Sequence, residues 1–434
     1  MVTELRHLLE ESVQHPPAEP HDTGAIVRRA RTRRRRHRLV AAGSALAVAA
    51  VAGVGYGVVR ELTGGTGADR VAHTEPVGPV VHPDDAVPGG PGKDVTVFAS
   101  YLNRHVNSRN GRHYQQVTSD GRVLVSQATR RDPTDVITEY NRFGLQDPAT
   151  GKLRWLPAPP GAQYADDHAP SGPMVVAVHG DTVVWLDRDR APMPIDVYDL
   201  GTRAWSHFTI DTKAFPGSDD GIDLQAPAVS GDRLYFVPLG LDAPLYRSTL
   251  WSVPLDGSSP PRREAEVGGF AIDGSTLVYT EATNRPIDRV TVRNLATGKE
   301  HSFDPQSGDR CNQLSLGVAR GVIALGEYCG EKHRIRDDRV HVVTTDGRPL
   351  VTLQGSGIEA GGVSRGFVTA TAYGEGAPAG TYVYDLAASR LVRISTDVGE
   401  PGPNTVAGGR TLTWSVPVST DEVKIFAGRW EGVR

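Results

Sequence analysis

Cysteine is almost missing from this chain of 434 residues: Cys311 and Cys329 are the only two. Its 14 histidines include no HxH or HExxH pair, and none follows His341. His168, His179, His207, His301, His333 and His341 are scattered instead. No ligand set with zinc spacing can therefore be read from the sequence, and neither a metal nor a cofactor is expected. Uninterrupted helix is scarce as well, because 49 Gly and 31 Pro take about 18% of the chain against roughly 12% in average proteins. Frequent turns at 38% hydrophobic content favour an all-β fold with a real core. The net charge of -4 hides an asymmetry, since residues 1–38 carry 9 Arg against 5 acids and the remainder is acidic. The two ends face different surroundings.

Residues 39–59, LVAAGSALAVAAVAGVGYGVV, form the one long stretch without charge, 21 residues. As a helix it reaches about 31 Å, the thickness of a hydrocarbon core. It follows eight arginines in eleven residues: Arg28, Arg29, Arg31, Arg33, Arg34, Arg35, Arg36 and Arg38. The positive-inside rule puts residues 1–38 in the cytoplasm and the C-terminal domain outside, as a single-pass cell-membrane protein. Ala47-Val48-Ala49 resembles a cleavage site, yet the leader and the apolar stretch are both too long for a signal peptide. Gly53 and Gly57 form a GxxxG that lets two helices approach, a pattern that also arises by chance in so Ala- and Gly-rich a segment. No aromatic residue interleaves the arginines, so anionic lipid is their expected contact and nucleic acid is not. Upstream, Leu5, Leu8, Leu9 and Val13 share one face of a short helix, either as part of a topogenic tail or as a face that docks onto a cytoplasmic partner.

Residues 60–93, punctuated by Pro76, Pro79, Pro83, Pro88 and Pro91, read as a linker. From 94 to 434 a turn dipeptide followed by an apolar strand recurs: Asp120-Gly121, Gly180-Asp181, Gly231-Asp232, Asp273-Gly274, Arg320-Gly321, Arg365-Gly366 and Gly408-Gly409. The spacings of 60, 51, 42, 47, 45 and 43 fit four-stranded propeller blades. Between copies lies a second turn, as at Asp147-Pro-Ala-Thr-Gly151, Asp199-Leu-Gly-Thr202, Asn294-Leu-Ala-Thr-Gly298 and Asp385-Leu-Ala-Ala388. Seven blades are expected, or six if Asp120 lies in a lone hairpin. The strand from Asp94 to Tyr101 has no partner before the first unit, and the last unit, ending VKIFAGRW, lacks an outer strand; pairing the two closes the ring.

On these repeats, residues 95–434 resemble the bacterial WD40-like and TolB-like propeller families. The stretch from Asp147 to Trp155, DPATGKLRW, looks like a pyrroloquinoline-quinone-type repeat; its full pattern occurs once, with a near match from Asp199 to Trp205. The layout of leader, anchor and outer domain resembles bacterial single-pass proteins whose leader acts on an extracytoplasmic-function sigma factor. That resemblance implies a cytoplasmic regulator as partner. The leader lacks cysteine and hence the His-and-Cys zinc motif of many such proteins.

Cys311 and Cys329 are centred on residue 320, the turn of the fifth repeat, so they should face each other across one hairpin as a disulfide. Gly362-Val-Ser-Arg-Gly366 matches the GxSxG nucleophile elbow, but it lies at a strand-to-strand turn with no later histidine, so Ser364 is expected to be structural. Gly355-Ser-Gly357-Ile-Glu-Ala360 opens no helix, and its small residues are expected near the ring axis. The acidic loop from Ser218 to Asp223 misses EF-hand spacing. Two functions remain. One is a membrane-anchored binding or sensing module for an extracytoplasmic protein, peptide or glycan. The other is a propeller enzyme, a quinone-dependent dehydrogenase or a hydrolase. An envelope scaffold is a blander form of the first.

Overall fold

The computed structural model describes residues 76–433, apart from 105–110, 129–139, 161–173, 187–191, 216–222, 240–247, 282–286, 307–310, 333–334, 375–376, 399–405 and 421. The expected leader (1–38), spanning helix (39–59) and first part of the linker (60–75) lie outside the described residues, as do His168, His333 and most of the acidic loop. Among the described residues the only helices are two 3₁₀ turns, Pro83–Asp85 and Thr212–Ala214, and no helix is long and apolar enough to cross a membrane.

Seven sheets, each built on four antiparallel strands, form a seven-bladed β-propeller. In chain order the innermost strands are Arg112–Val117, Met174–His179, Asp223–Ser230, Gly269–Asp273, Asn312–Ala319, Ile358–Val363 and Ala407–Gly408, which define blades 1 to 7. Neighbouring innermost strands touch around the ring. Between blades 1 and 2 the contact is a side-chain clasp: Gln116 Nε2 donates to Val178 O at 3.2 Å, and Val178 N donates to Gln116 Oε1 at 3.3 Å.

Each blade is covered on both faces by its neighbours, so its middle strands are buried at successive positions instead of at every second one. Thr182–Leu186 (TVVWL) is buried at four of five positions, and Phe367–Ala372 and Gly380–Asp385 at every position. The outermost strand of blade 2, Ala204–Ile210, is largely exposed. Leu186, Ile195, Ile210, Leu234 and Phe236 pack blade 2 onto blade 3. Fully burying such side chains stabilises by about 1.5–3 kcal/mol each before ordering costs. The turns between third and fourth strands owe their form to one acceptor. Asp147 Oδ1 accepts from the amides of Ala149 (2.9 Å) and Thr150 (2.8 Å). Asn294 and Asp385 repeat this with amides at 2.9–3.0 Å, and Asp199 accepts from Thr202 N at 2.6 Å. Such a side chain replaces a backbone acceptor two or three residues on, which is why the signal recurs in the sequence.

Ring closure follows the expected scheme. Val95–Arg104 pairs antiparallel with Glu422–Trp430 as the outermost strand of blade 7, from Val95 opposite Trp430 to Arg104 opposite Glu422. The linker reading does not hold for its described part. Residues 76–93 lie against the propeller: Val80–Val81 adds a parallel fifth strand to blade 5, and Val87–Pro88 adds one to blade 6. Outer edge strands expose unpaired amides and carbonyls, and this strap satisfies them over two blades before the chain enters the third. The proline between the two additions opens the 3₁₀ turn, where no ladder donor is needed. Gly355 and Gly357 also differ from expectation. They face the strap and blade 5, not the ring axis: a Cβ on Gly355 would meet Pro83 at 3.1 Å, and Gly357 N donates to Asp338 at 2.7 Å.

Cys311 and Cys329 form a disulfide. Asn312 stands opposite Tyr328, so the cysteines occupy the next rung of that hairpin, and both are buried.

Candidate functional site

The turns between first and second strands gather at one end of the ring, where the innermost strands open into a cavity of about 800 Å³ lined by all seven blades. Small side chains keep it open: Ala177, Ala228, Ala271, Gly317 and Ala407 all lie on its wall. Glycine is required where these strands converge. A Cβ on Gly317 would come 3.0 Å from Val363 Cγ2, and one on Gly362 would come 2.3 Å from Ala407 N.

The rim is held from blade to blade. Arg122 of blade 1 donates to Gly180 O of blade 2, and Ser230 Oγ of blade 3 donates to Gly274 O of blade 4 at 2.6 Å. Asp273 of blade 4 accepts from Arg320 N of blade 5 at 2.6 Å, and Ser364 Oγ of blade 6 donates to Gly409 O of blade 7. Ser364 is buried and committed to this structural contact. These partners are 44 to 58 residues apart, so no sequence signal announces them.

Most charges at this end are already engaged. Partial burial raises the Asp120 pKa, but hydrogen bonds from Thr118 and Arg122, with Arg122 Nε at 2.8 Å, outweigh that and hold the carboxyl below its ordinary range. Arg410 donates to Trp430 O at 3.0 and 2.8 Å. Arg429 pairs with Glu431 at 2.9 Å, and that bond holds the Glu431 carboxyl low. Asp385 is buried and accepts from Trp430 Nε1 at 3.0 Å, tying blade 6 to the C-terminal segment. The exceptions are Arg320 and Arg365. Both are exposed on the lining, and neither guanidinium has a hydrogen bond or ion pair among the described residues.

Among the described lining residues no hydroxyl is hydrogen-bonded to a histidine, the pairing that activates a nucleophile. The Thr118–Asp120 bond closes its own turn. His179 reaches the mouth, whereas His207 pairs with Asp196 at 2.8 Å, His301 bonds Thr345 O at 2.9 Å, and buried His341 is held between Thr352 Oγ1 and Pro305 O. The described histidines do not converge. Cys311, Glu327 and Cys329 bring their ligand atoms within 4.8 Å of one another, but the disulfide occupies both sulfurs. What the mouth provides is a funnel of mixed polar and apolar lining, with Arg320 and Arg365 unpartnered among the described residues on one side.

No family model matches the chain, and comparison with curated proteins finds no match. The chain is similar to several solved structures. An oligogalacturonate lyase in complex with manganese aligns over 79% of this chain and 98% of its own, at 12% identity and a TM-score of 0.48. The β-propeller domain of the trilobed protease from Pyrococcus furiosus aligns over 57% and 78%, at 12% identity and a TM-score of 0.38. TolB from Acinetobacter baumannii aligns over 57% of this chain and 55% of its own, at 15% identity and a TM-score of 0.33. These are likenesses of fold and extend to no residue of the site.

Proposed function

We propose that this chain is a membrane-anchored extracytoplasmic propeller that binds a ligand at the turn end of its channel without transforming it. One observation carries the reading: a cavity of about 800 Å³ to which every blade contributes, with its rim cross-linked by hydrogen bonds. A concave site lined by apolar side chains together with a few polar and charged ones is the usual form of a ligand pocket. The strap adds support. Val80–Val81 runs parallel to the outer strand Pro349–Gln354 of blade 5, and a Cβ on Gly78 would meet Pro349 at 3.1 Å. The chain therefore reaches blade 5 at the turn end, the same end as the mouth. A spanning helix over 39–59 would be joined to that end through residues 60–75, a tether of at most ~55 Å.

In this reading the arginines from Arg28 to Arg38 hold the leader at the inner leaflet. The face of Leu5, Leu8, Leu9 and Val13 contacts a cytoplasmic regulator, with an extracytoplasmic-function sigma factor as the class that the layout favours. The binding site is tested by thiol labelling. Because both native cysteines are in the disulfide, Ala319→Cys at the mouth and Lys299→Cys on an outer turn of blade 4 each carry a unique thiol. An envelope extract should slow maleimide labelling at 319 and leave 299 unchanged. Equal rates at 319 with and without extract would overturn the reading. Pull-downs with the wild-type leader and with Leu5→Asp plus Leu9→Asp test the cytoplasmic contact, and equal recoveries would reject it.

A further inference from the structure

We infer that Arg320 and Arg365 form an anion-binding pair on the blade 5 to blade 6 side of the channel mouth, and that the ligand carries two or more carboxylate or phosphate groups. The inference rests on the binding reading above and specifies its chemistry. The two arginines hold equivalent places in consecutive blades, each two residues before a second strand that begins at Val322 or Phe367. The backbones that carry them converge: the contact between Gly317 and Val363 lies three residues before Arg320 and two before Arg365. Both side chains thus start from the rim of adjacent blades, 5 and 6.

The charged side chains lining the cavity are Arg320, Arg365, Arg410 and Arg429 against Asp120, Asp273 and Asp385, a small positive excess. Asp273, the carboxylate next along the rim, accepts from Arg320 N; Asp385 is buried under Trp430 Nε1; and Glu431 is paired with Arg429. The other arginines of this end are held, Arg122 by Asp120 and Arg410 by Trp430 O. Arg320 and Arg365 are exposed, and their guanidiniums have no hydrogen bond or ion pair among the described residues. Arg320 (φ 48°) and Gly321 (φ 82°) are the two central residues of the hairpin turn between Ala319 and Val322, where a primed turn requires positive φ. Val318 and Phe367 line the cavity beside them and lower the local dielectric, which strengthens attraction to an anion. A guanidinium binds a carboxylate or phosphate through two parallel N–H bonds, so a pair of them selects a ligand with two such groups over one with a single group.

The test is calorimetric titration of the full chain in an uncharged detergent with acetate, succinate, citrate and inorganic phosphate. Citrate should bind saturably and at least ~10-fold more tightly than acetate, and the affinity should fall as sodium chloride is added. Arg320→Gln and Arg365→Gln should each weaken citrate by ~10-fold or more, as expected for loss of a charge-assisted hydrogen bond. Arg263→Gln, an exposed position on the outer strand of blade 3, should leave it within ~2-fold. Unchanged thermal unfolding of the variants shows that they are folded. Absence of saturable binding by citrate and phosphate, or a loss below ~2-fold in both mouth variants, would overturn the assignment. The Ala319→Cys labelling assay separates the two levels. Protection by envelope extract that persists when Arg320 and Arg365 are both glutamine would reject the anion pair and leave the binding site standing. Protection lost in that background supports the pair.

Discussion

Closure of the ring by the strand Val95–Arg104 can be tested with a single small deletion, Val95→Ala. Val95 is 1% exposed and packs with Phe367, Val392, Leu412, Trp414 and Trp430, where blade 6 meets blade 7. The substitution removes two methyl groups, about 1.6 kcal/mol of transfer free energy at ~0.8 kcal/mol each. The cavity term adds to this, because aromatic rings and β-branched neighbours in strands cannot collapse into the gap, and the total is about 2–3 kcal/mol. Ser100→Ala, on the same strand but exposed, should change stability by less than ~0.5 kcal/mol. Urea unfolding followed by tryptophan fluorescence suits the question, since Trp414 and Trp430 belong to the affected cluster. The midpoint should fall at constant slope for Val95→Ala and stay in place for Ser100→Ala. If Val95→Ala lies within ~0.5 kcal/mol of wild type, or if both variants lose equally, the strand does not complete blade 7 in the way described.

Replacing Cys311 and Cys329 together by serine should cost about 3 kcal/mol, the chain-entropy value for closing a loop of this size. Amide exchange should rise first in Asn312–Ala319 and Val322–Lys332; a mass spectrum of the unreduced protein with two free thiols would refute the bridge. Stability should also fall between pH 6.5 and 4. Burial lowers the pKa of His113 to about 4 and also lowers that of His341, so in this window the unfolded chain binds protons that the folded one does not. The contribution is fully present above pH 6.5, and for His113 its loss amounts to at most about 3 kcal/mol by pH 4. Below pH 4 a second loss follows as the turn carboxylates of Asp147 and Asp199, held low by hydrogen bonds from Thr150 and Thr202, take up protons. A flat profile of urea midpoint against pH from 7 to 4 would contradict this. For topology, trypsin added to intact spheroplasts should digest the propeller and spare the leader, because the Arg28–Arg38 run resists translocation; digestion of the leader would reverse the orientation.

Local chemistry made much of this fold readable. An Asp or Asn two or three residues before the amides it accepts from, and a turn dipeptide before an apolar run, are short-range devices, so Asp147, Asn294 and Asp385 mark blades without reference to the rest of the chain. The same holds for the bridge: Cys311 and Cys329 are equidistant from one hairpin turn, and register alone brings them together. The unpaired strand before the first unit and the missing strand after the last implied their own pairing. The strap was hidden because Val80–Val81 and Val87–Pro88 are too short to show a period, and they become strands only because blades 5 and 6 offer open edges. The mouth was hidden for a related reason. Asp273 and Arg320, or Ser364 and Gly409, meet across some 45 residues, and only the circular arrangement of blades turns seven similar hairpins into one rim. The sequence by itself determined the repeat, its turns, the disulfide and the closing strand, because each depends on neighbours along the chain. Tertiary structure alone decided which charges pair at the mouth and left Arg320 and Arg365 without partners among the described residues, because that balance is set by distance around the ring.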